Sequence, residues 1–178
     1  MSWYHKRPDI NWRNAEWMTG VRDQGNTKAC WAVAVCDLVE MLHNRQNPDN
    51  RLQSPLSAQE LIDNYPGSGH VEWAFDYIKT NGIACEADYP WKGEISEKNE
   101  NIVSLEPVVK YDNGGTNESG HAMVIVGQGQ NEYYEKYWHV KNTWGEGWGD
   151  EGYARLAKSV SDPNRAYYPI YYPLIHED

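Results

Sequence analysis

The chain has 178 residues, of which 40% are hydrophobic, so it is long enough for one domain, or for two small lobes that share a site. Its formal net charge of -10 argues against a general nucleic-acid binder, which would carry a basic surface. No apolar run reaches the roughly 18 residues of a membrane span, and the polar residues 1–8 lack a signal-peptide pattern. We therefore expect no membrane partner and no secretion signal.

Three helices are predicted in the first half of the chain. Apolar residues recur at helical spacing over residues 29–45 and again over residues 70–80. Between these segments, Ser57 and Glu60 form a capping-box pattern, which predicts the start of a short helix. Asn81-Gly82 predicts the end of the third helix, because glycine adopts the left-handed conformation of a helix C-terminus without strain.

Strands are predicted in the second half of the chain. The β-type runs are residues 108–109, 123–126, 137–140 and 153–156. Helices followed by strands indicate the α+β class. We therefore predict a single domain over residues 1–178, with a helical lobe over residues 20–90 and a β lobe over residues 91–178 plus the N-terminal segment. A cleft between two lobes is a favoured place for a site.

The three cysteines cannot form a closed disulfide framework, because their number is odd. Cys36 and Cys85 lie in helical or apolar contexts and are predicted to be buried, unreactive thiols. Cys30 lies in the first turn of a predicted helix, where partial positive charge and free N–H groups lower the pKa of a thiol. Its position is compatible with a nucleophile, although by itself it fits a packed cysteine at a helix start better.

A thiolate nucleophile needs a histidine base and a group that orients the base. Among six histidines, His121 lies where a turn-rich loop enters a strand, which is a rigid position for a base. Asn142 follows the next strand, where its amide can bond the histidine ring, and Trp144 can cover that bond. The other five histidines are predicted to be structural or solvent-facing.

These segments together resemble the papain-like cysteine proteases, the family of the plant thiol proteases and the cathepsins. The matching segments include Asp23-Gln24-Gly25, Ala29-Cys30-Trp31-Ala32, Leu56-Ser57-Ala58-Gln59-Glu60-Leu61, Gly120-His121-Ala122, Val140-Lys141-Asn142 and Gly147-Trp148-Gly149. The resemblance runs from residue 11 to about residue 156. It implies a papain-like two-lobe fold, in which the active site lies between a helical lobe and a reduced antiparallel β-barrel lobe.

The resemblance also implies the roles of the site residues. Cys30 would be the nucleophile, and His121 the general base and later the acid. Asn142 would orient the imidazolium, and Gln24 would stabilise the oxyanion together with the backbone N–H of Cys30. No cofactor and no metal is implied. The residues expected to contact the substrate are Lys28, Gly69, His70, Val71, Ala122, Trp144 and Trp148.

The chain also departs from the family pattern. The family reads C-G-[SA]-C-[WY] around the nucleophile, whereas Thr27 and Lys28 occupy the first two positions here. No family disulfide is expected to remain, and Lys28 could narrow the site, favour an acidic ligand or help stabilise the thiolate. His121 lies 91 residues after Cys30, against about 130–150 in the family. Roughly 40 residues are therefore missing, between Pro90 and His121.

The sequence favours a cysteine endopeptidase that cleaves peptide bonds through a Cys30 acyl-enzyme. The alternative is a repurposed papain-like protein, either a thiol acyltransferase or lyase acting on a small substrate or a non-catalytic binding protein. The expected partner is a peptide or small acyl substrate, with no nucleic acid and no membrane. An oligomer is expected if another chain completes the β lobe. The family is typically vacuolar, lysosomal or secreted, whereas the loss of disulfides favours a cytoplasmic location.

Overall fold

The computed structural model describes residues 8–65, 69–94, 121–132 and 136–158. Three helices, α1 (Cys30–Gln46), α2 (Ala58–Asn64) and α3 (Val71–Asn81), occupy the first half of the chain. Four strands, β1 (Ile10–Asn11), β2 (Val124–Gln130), β3 (Lys136–Lys141) and β4 (Tyr153–Ala157), form one antiparallel sheet. The three predicted helices and the last three predicted strands are confirmed, and the strand predicted at residues 108–109 lies outside the described residues.

Helix α1 is buried on two sides and packs against both halves of the molecule. One side carries Trp31, Val35 and Cys36 into a core cluster shared with α2 and α3. Another side carries Ala34 and Met41 into a second cluster, which also contains apolar residues of β2. The helical lobe and the sheet lobe therefore share α1 as their common wall, and the fold is the predicted two-lobe α+β arrangement.

The start of α2 confirms half of the predicted capping box. The Ser57 side chain accepts a hydrogen bond from the Glu60 backbone N–H at 3.0 Å. The Glu60 carboxylate does not return to Ser57; it accepts hydrogen bonds from the Tyr77 hydroxyl at 3.0 Å and from the Ala84 backbone N–H at 2.7 Å. Glu60 therefore ties α2 to α3 and to the segment after it, and the Ser57 backbone N–H donates to the Ala84 carbonyl instead.

The sheet has the order β1-β2-β3-β4, and its described strands form an open sheet rather than a closed barrel. The two-residue strand β1 was not predicted; it pairs Ile10 with Gln128 and Asn11 with Gly127. At the other side, β3 pairs with β4, and the backbone N–H of Asn142 donates to the carbonyl of Gly152 at 2.9 Å. This bond fixes the chain directly beyond β3, where a site residue was predicted.

Among the described residues, no helix is long and apolar enough to cross a membrane. The same residues contain no group of three or more His, Cys, Asp or Glu side chains arranged to hold a metal ion.

Replacing Gly127 by alanine is expected to separate β1 from β2. A Cβ at this position would lie 2.0 Å from the Ile10 carbonyl oxygen, which is a backbone atom and cannot rotate away. Overpacking of this kind costs about 1–3 kcal/mol, so the midpoint of urea unfolding should fall. Gly20→Ala is the matched control, because no atom lies within 4 Å of the Cβ that it would add. Equal midpoints for the two variants would contradict the prediction.

Candidate active site

Cys30 is the first residue of α1, and its side chain is almost fully buried. The first N–H groups of a helix have no partner within the helix and carry partial positive charge. Hydrogen bonding with the His121 ring and with the backbone N–H groups of Ala122 and Trp31 lowers the pKa of the Cys30 thiol. The thiol thus lies where the start of α1 meets the entry to β2.

His121 lies between the thiol and a buried amide. Its Nε2 lies 2.6 Å from Oδ1 of Asn142, which leaves Nδ1 for Cys30. The Asn142 Oδ1 also accepts the Thr143 backbone N–H at 2.8 Å, and this bond identifies the oxygen end of the amide. Because an amide oxygen only accepts, Nε2 must carry a proton. Asn142 therefore fixes both the orientation of the ring and its tautomer.

The thiol and the imidazole shift each other's pKa in opposite directions. Burial alone would raise the pKa of Cys30, but the hydrogen bond from His121, the backbone N–H groups and the histidine charge outweigh it and lower that pKa. Burial alone would lower the pKa of His121, but the hydrogen bonds to Cys30 and Asn142 outweigh it and raise that pKa. Both shifts favour the thiolate and the imidazolium over the neutral thiol and imidazole.

Gln24 is buried beside this pair and is held at both ends of its side-chain amide. Its Nε2 donates to the Thr27 carbonyl at 2.6 Å, and its Oε1 accepts the Thr143 hydroxyl at 2.5 Å. An amide nitrogen has two N–H donors, so one N–H of Gln24 is left over. The fixed amide can therefore offer one preorganised donor next to the nucleophile.

Trp144 and Trp148 cover the histidine. The Trp144 ring stacks on the His121 ring with centroids 4.3 Å apart and planes 25° apart. Trp148 packs edge-on against Trp144, with centroids 5.5 Å apart. One face of the His121–Asn142 hydrogen bond is thus shielded from water, as the sequence predicted for Trp144.

The remaining residues predicted to contact substrate lie on both sides of the thiol. Lys28 lies two positions before Cys30 and is exposed. Ala122, which directly follows His121, is half-buried. Gly69 lies against Trp31, and a Cβ there would lie 2.3 Å from the Trp31 ring, so that only glycine fits this approach. His70 is the exposed N-cap of α3 rather than a helical residue, and Val71 packs against the helical core.

One of the structural predictions needs correction. Cys36 is fully buried as predicted, but Cys85 is only half-buried and forms an isolated bridge with Leu56. His139 has a structural role, in agreement with the prediction, because its Nε2 lies 2.8 Å from the Asp9 carboxylate. Thr143 was not predicted, although its hydroxyl bonds Gln24 and its backbone N–H bonds Asn142. Its place directly after Asn142 was the signal that could have found it.

Comparison with known proteins was made for the sequence and for the fold. The family described as papain family cysteine protease matches residues 7–112 and 100–172. A vignain of Ricinus communis is 32% identical over 90% of this chain and 59% of that protein. A cathepsin L-like proteinase of Phaedon cochleariae is 28% identical over 90% of this chain and 64% of that protein. The chain thus spans about 60% of the length of such relatives.

Solved structures show the same likeness. A recombinant stem bromelain precursor superposes with a TM-score of 0.66 and 28% identity, covering 88% of this chain and 65% of that one. A bromelain protease of Ananas comosus gives a TM-score of 0.63 and 28% identity, covering 87% of this chain and 92% of that one. The papain-like two-lobe fold predicted from the sequence is therefore confirmed.

The matches also concern the region between Pro90 and His121, where the sequence predicts that residues are missing. The family matches in two segments that meet at residues 100–112, and the alignment with vignain extends over 216 positions, more than the 178 residues of this chain. The junction of the two segments falls between Pro90 and His121, where the sequence predicts the missing residues.

Iodoacetamide is expected to alkylate Cys30 much faster than Cys36 or Cys85. The thiolate fraction of Cys30 rises as the pH passes through its lowered pKa, whereas burial raises the pKa of Cys36 to about 12. His121→Ala removes the bond that lowers the Cys30 pKa, so labelling should move to higher pH. Mass spectrometry of the three cysteine peptides measures the rates.

His43→Ala is the matched control for this experiment. His43 lies near the other end of α1 and bonds the Asn50 carbonyl, so its removal should leave the labelling of Cys30 unchanged. Equal rates at all three thiols of the unmodified chain would show that Cys30 is not activated.

Proposed function

The chain belongs to the papain family of cysteine proteases, and on that basis we propose that it is a cysteine peptidase that cleaves peptide bonds through an acyl-enzyme on Cys30. The observation that carries the proposal is the hydrogen-bonded series from Cys30 through His121 to Asn142, with the fixed amide of Gln24 beside it. Nucleophile, base and orienting group lie in the relation that covalent catalysis requires.

Acylation begins from the thiolate–imidazolium pair. The Cys30 sulfur attacks the carbonyl carbon of the scissile bond, and the carbonyl oxygen gains the negative charge. The remaining N–H of Gln24 and the backbone N–H of Cys30 stabilise that oxyanion. His121 then transfers its Nδ1 proton to the leaving nitrogen, the carbon–nitrogen bond breaks, and a thioester remains on Cys30.

Deacylation uses the same groups in the reverse direction. His121, now neutral, takes a proton from a water molecule as its oxygen attacks the thioester carbonyl. The oxyanion again bonds Gln24, and collapse of the intermediate releases the acid and the Cys30 thiolate. Asn142 keeps the ring in one tautomer through both halves, which allows one nitrogen to give and take the proton.

Lys28 favours a second candidate function on the same site. Its exposed ammonium group lies two positions before the nucleophile, so it is placed to attract an acidic substrate. If an amine or a thiol, rather than water, accepted the acyl group from Cys30, the protein would be a thiol acyltransferase. Rapid labelling of Cys30 without hydrolysis of any peptide in a mixed fluorogenic library would favour this function.

Peptide hydrolysis is expected to follow a bell-shaped pH profile. The acid limb reports formation of the Cys30 thiolate at its lowered pKa, and the alkaline limb reports loss of the imidazolium at the raised pKa of His121. Fluorogenic peptide assays should show this activity in the unmodified protein and in Cys36→Ala, but not in Cys30→Ala. Hydrolysis that survives in Cys30→Ala would exclude the proposed nucleophile.

Gln24→Ala is expected to lower kcat/KM by about 10²–10³, through kcat rather than KM, because an oxyanion donor acts mainly in the transition state. Alkylation of Cys30 forms no oxyanion, so its rate should change little. Gln53→Ala is the control, since Gln53 is exposed and donates to the nearby Arg51 carbonyl. A parallel loss of hydrolysis and alkylation in Gln24→Ala would instead indicate a distorted site.

A further inference from the structure

A group of buried charged side chains lies behind the active site. We call it the ionic cluster; its members are Arg22, Asp37, Glu40 and Lys141, with the more exposed Glu86 at its edge. Asp37, Glu40 and Lys141 are each 2% exposed or less. Burial of charge at this level is costly unless every charge is paired, so the cluster requires an explanation.

Asp37 is the member that joins the other segments. Its Oδ2 lies 2.7 Å from the Lys141 ammonium, and its Oδ1 lies 3.2 Å from Nε of Arg22. Lys141 also donates to the Thr19 hydroxyl at 2.9 Å. Arg22 further contacts Glu40 and donates to the Leu56 carbonyl at 2.9 Å. A single carboxylate of α1 thus binds one cation from β3 and one from the N-terminal segment.

The two cations lie next to the two groups that serve Cys30. Lys141 is the last residue of β3 and directly precedes Asn142. Arg22 lies two residues before Gln24. Asp37 itself lies seven residues after Cys30, two helical turns along the same face of α1. The helix that carries the nucleophile therefore holds, through one carboxylate, both chain segments that supply its partners.

We propose that Asp37 is a positioning residue, which sets Asn142 and Gln24 against Cys30 through its ion pairs with Lys141 and Arg22. The proposal deepens the peptidase assignment and rests on it for the meaning of the site. Asp37 acts through the positions of other residues, since it touches no reacting atom itself. The segment 141–143 connects Asp37 to the site. Lys141 binds Asp37, Asn142 bonds His121 and Thr143 bonds Gln24.

The state of Lys141 supports this role. Burial lowers the pKa of Lys141 below its ordinary value, and the charge and hydrogen bond of Asp37 oppose that effect. Without Asp37, the lysine would be a buried cation with only the Thr19 hydroxyl as an identified side-chain partner. It would then have to lose its proton or move towards water. Either change occurs one residue from Asn142, whose amide oxygen holds His121.

The experiment measures the pH dependence of Cys30 alkylation by iodoacetamide in folded protein, beside peptide hydrolysis. Asp37→Asn removes the charge with little change of shape. The double variant Asp37→Val/Lys141→Met removes both charges and replaces them with apolar groups, which commonly preserves stability. Leu61→Ala is the matched control, because Leu61 is fully buried in the helical core and its loss destabilises the fold away from the cluster.

In Asp37→Asn, the acid limb of the alkylation profile should move up by about one pH unit or more, since a less firmly held imidazolium stabilises the thiolate less. The double variant should unfold at a urea concentration close to that of the unmodified protein and yet keep the shifted profile. Leu61→Ala should unfold earlier with an unshifted profile. These three results together support the proposal.

A folded double variant with an unshifted profile would overturn the proposal, because the cluster would then serve stability alone. Loss of the fold in both Asp37 variants would overturn it for the same reason. An unmodified protein that alkylates readily but hydrolyses no peptide would count against the peptidase function only, because the alkylation profiles still test Asp37.

Discussion

The whole arrangement depends on where α1 begins. Cys30 is the first residue of this helix, and the helix is packed on one side by α2 and α3 and on another by the sheet. Cys30, the proposed nucleophile, therefore lies at the boundary between two cores and cannot shift towards either lobe without disrupting the packing of one of them. Because His121 enters from the sheet lobe, the hydrogen bond between the two side chains is also a bond between lobes.

This placement explains how an energetically unfavourable site can persist. A thiol in a buried position would normally stay neutral, and a partly desolvated histidine would normally lose its charge. Each group instead stabilises the charged form of the other, with Asn142 and two backbone N–H groups contributing. The rigid packing around α1 keeps the two groups within reach, so the stabilisation does not depend on chance encounters of mobile side chains.

Much of this could be predicted from the sequence, for identifiable reasons. Apolar periodicity located α1 and α3 because their buried faces recur at helical spacing, and Ser57 marked α2 because its cap is local. The strand β1 was not predicted, because two residues are too few to show an alternating apolar pattern. It forms through its pairing with β2. His121 and Asn142 were found because the ends of strands and the resemblance pointed to them.

The ionic cluster could not be predicted, because its pairs join different segments of the chain, and Asp37 and Lys141 are 104 positions apart. A signal was nevertheless present: Asp37 and Glu40 interrupt the apolar pattern of a helix that is otherwise core. Polar residues at such positions must find partners in the fold, although the sequence does not name them. The capping box shows the converse case, in which Glu60 had an evident local partner and took distant ones instead.

Thr143 connects two side-chain amides of the site to each other. Its hydroxyl holds the amide of Gln24, and its backbone N–H holds the amide of Asn142. The amide proposed to receive the substrate oxygen and the amide proposed to orient the histidine are thus bonded to one residue. A change at either amide will affect the other, so their energetic contributions will not add independently. If the proposed roles hold, evolutionary changes at the oxyanion site and at the proton-transfer site are coupled.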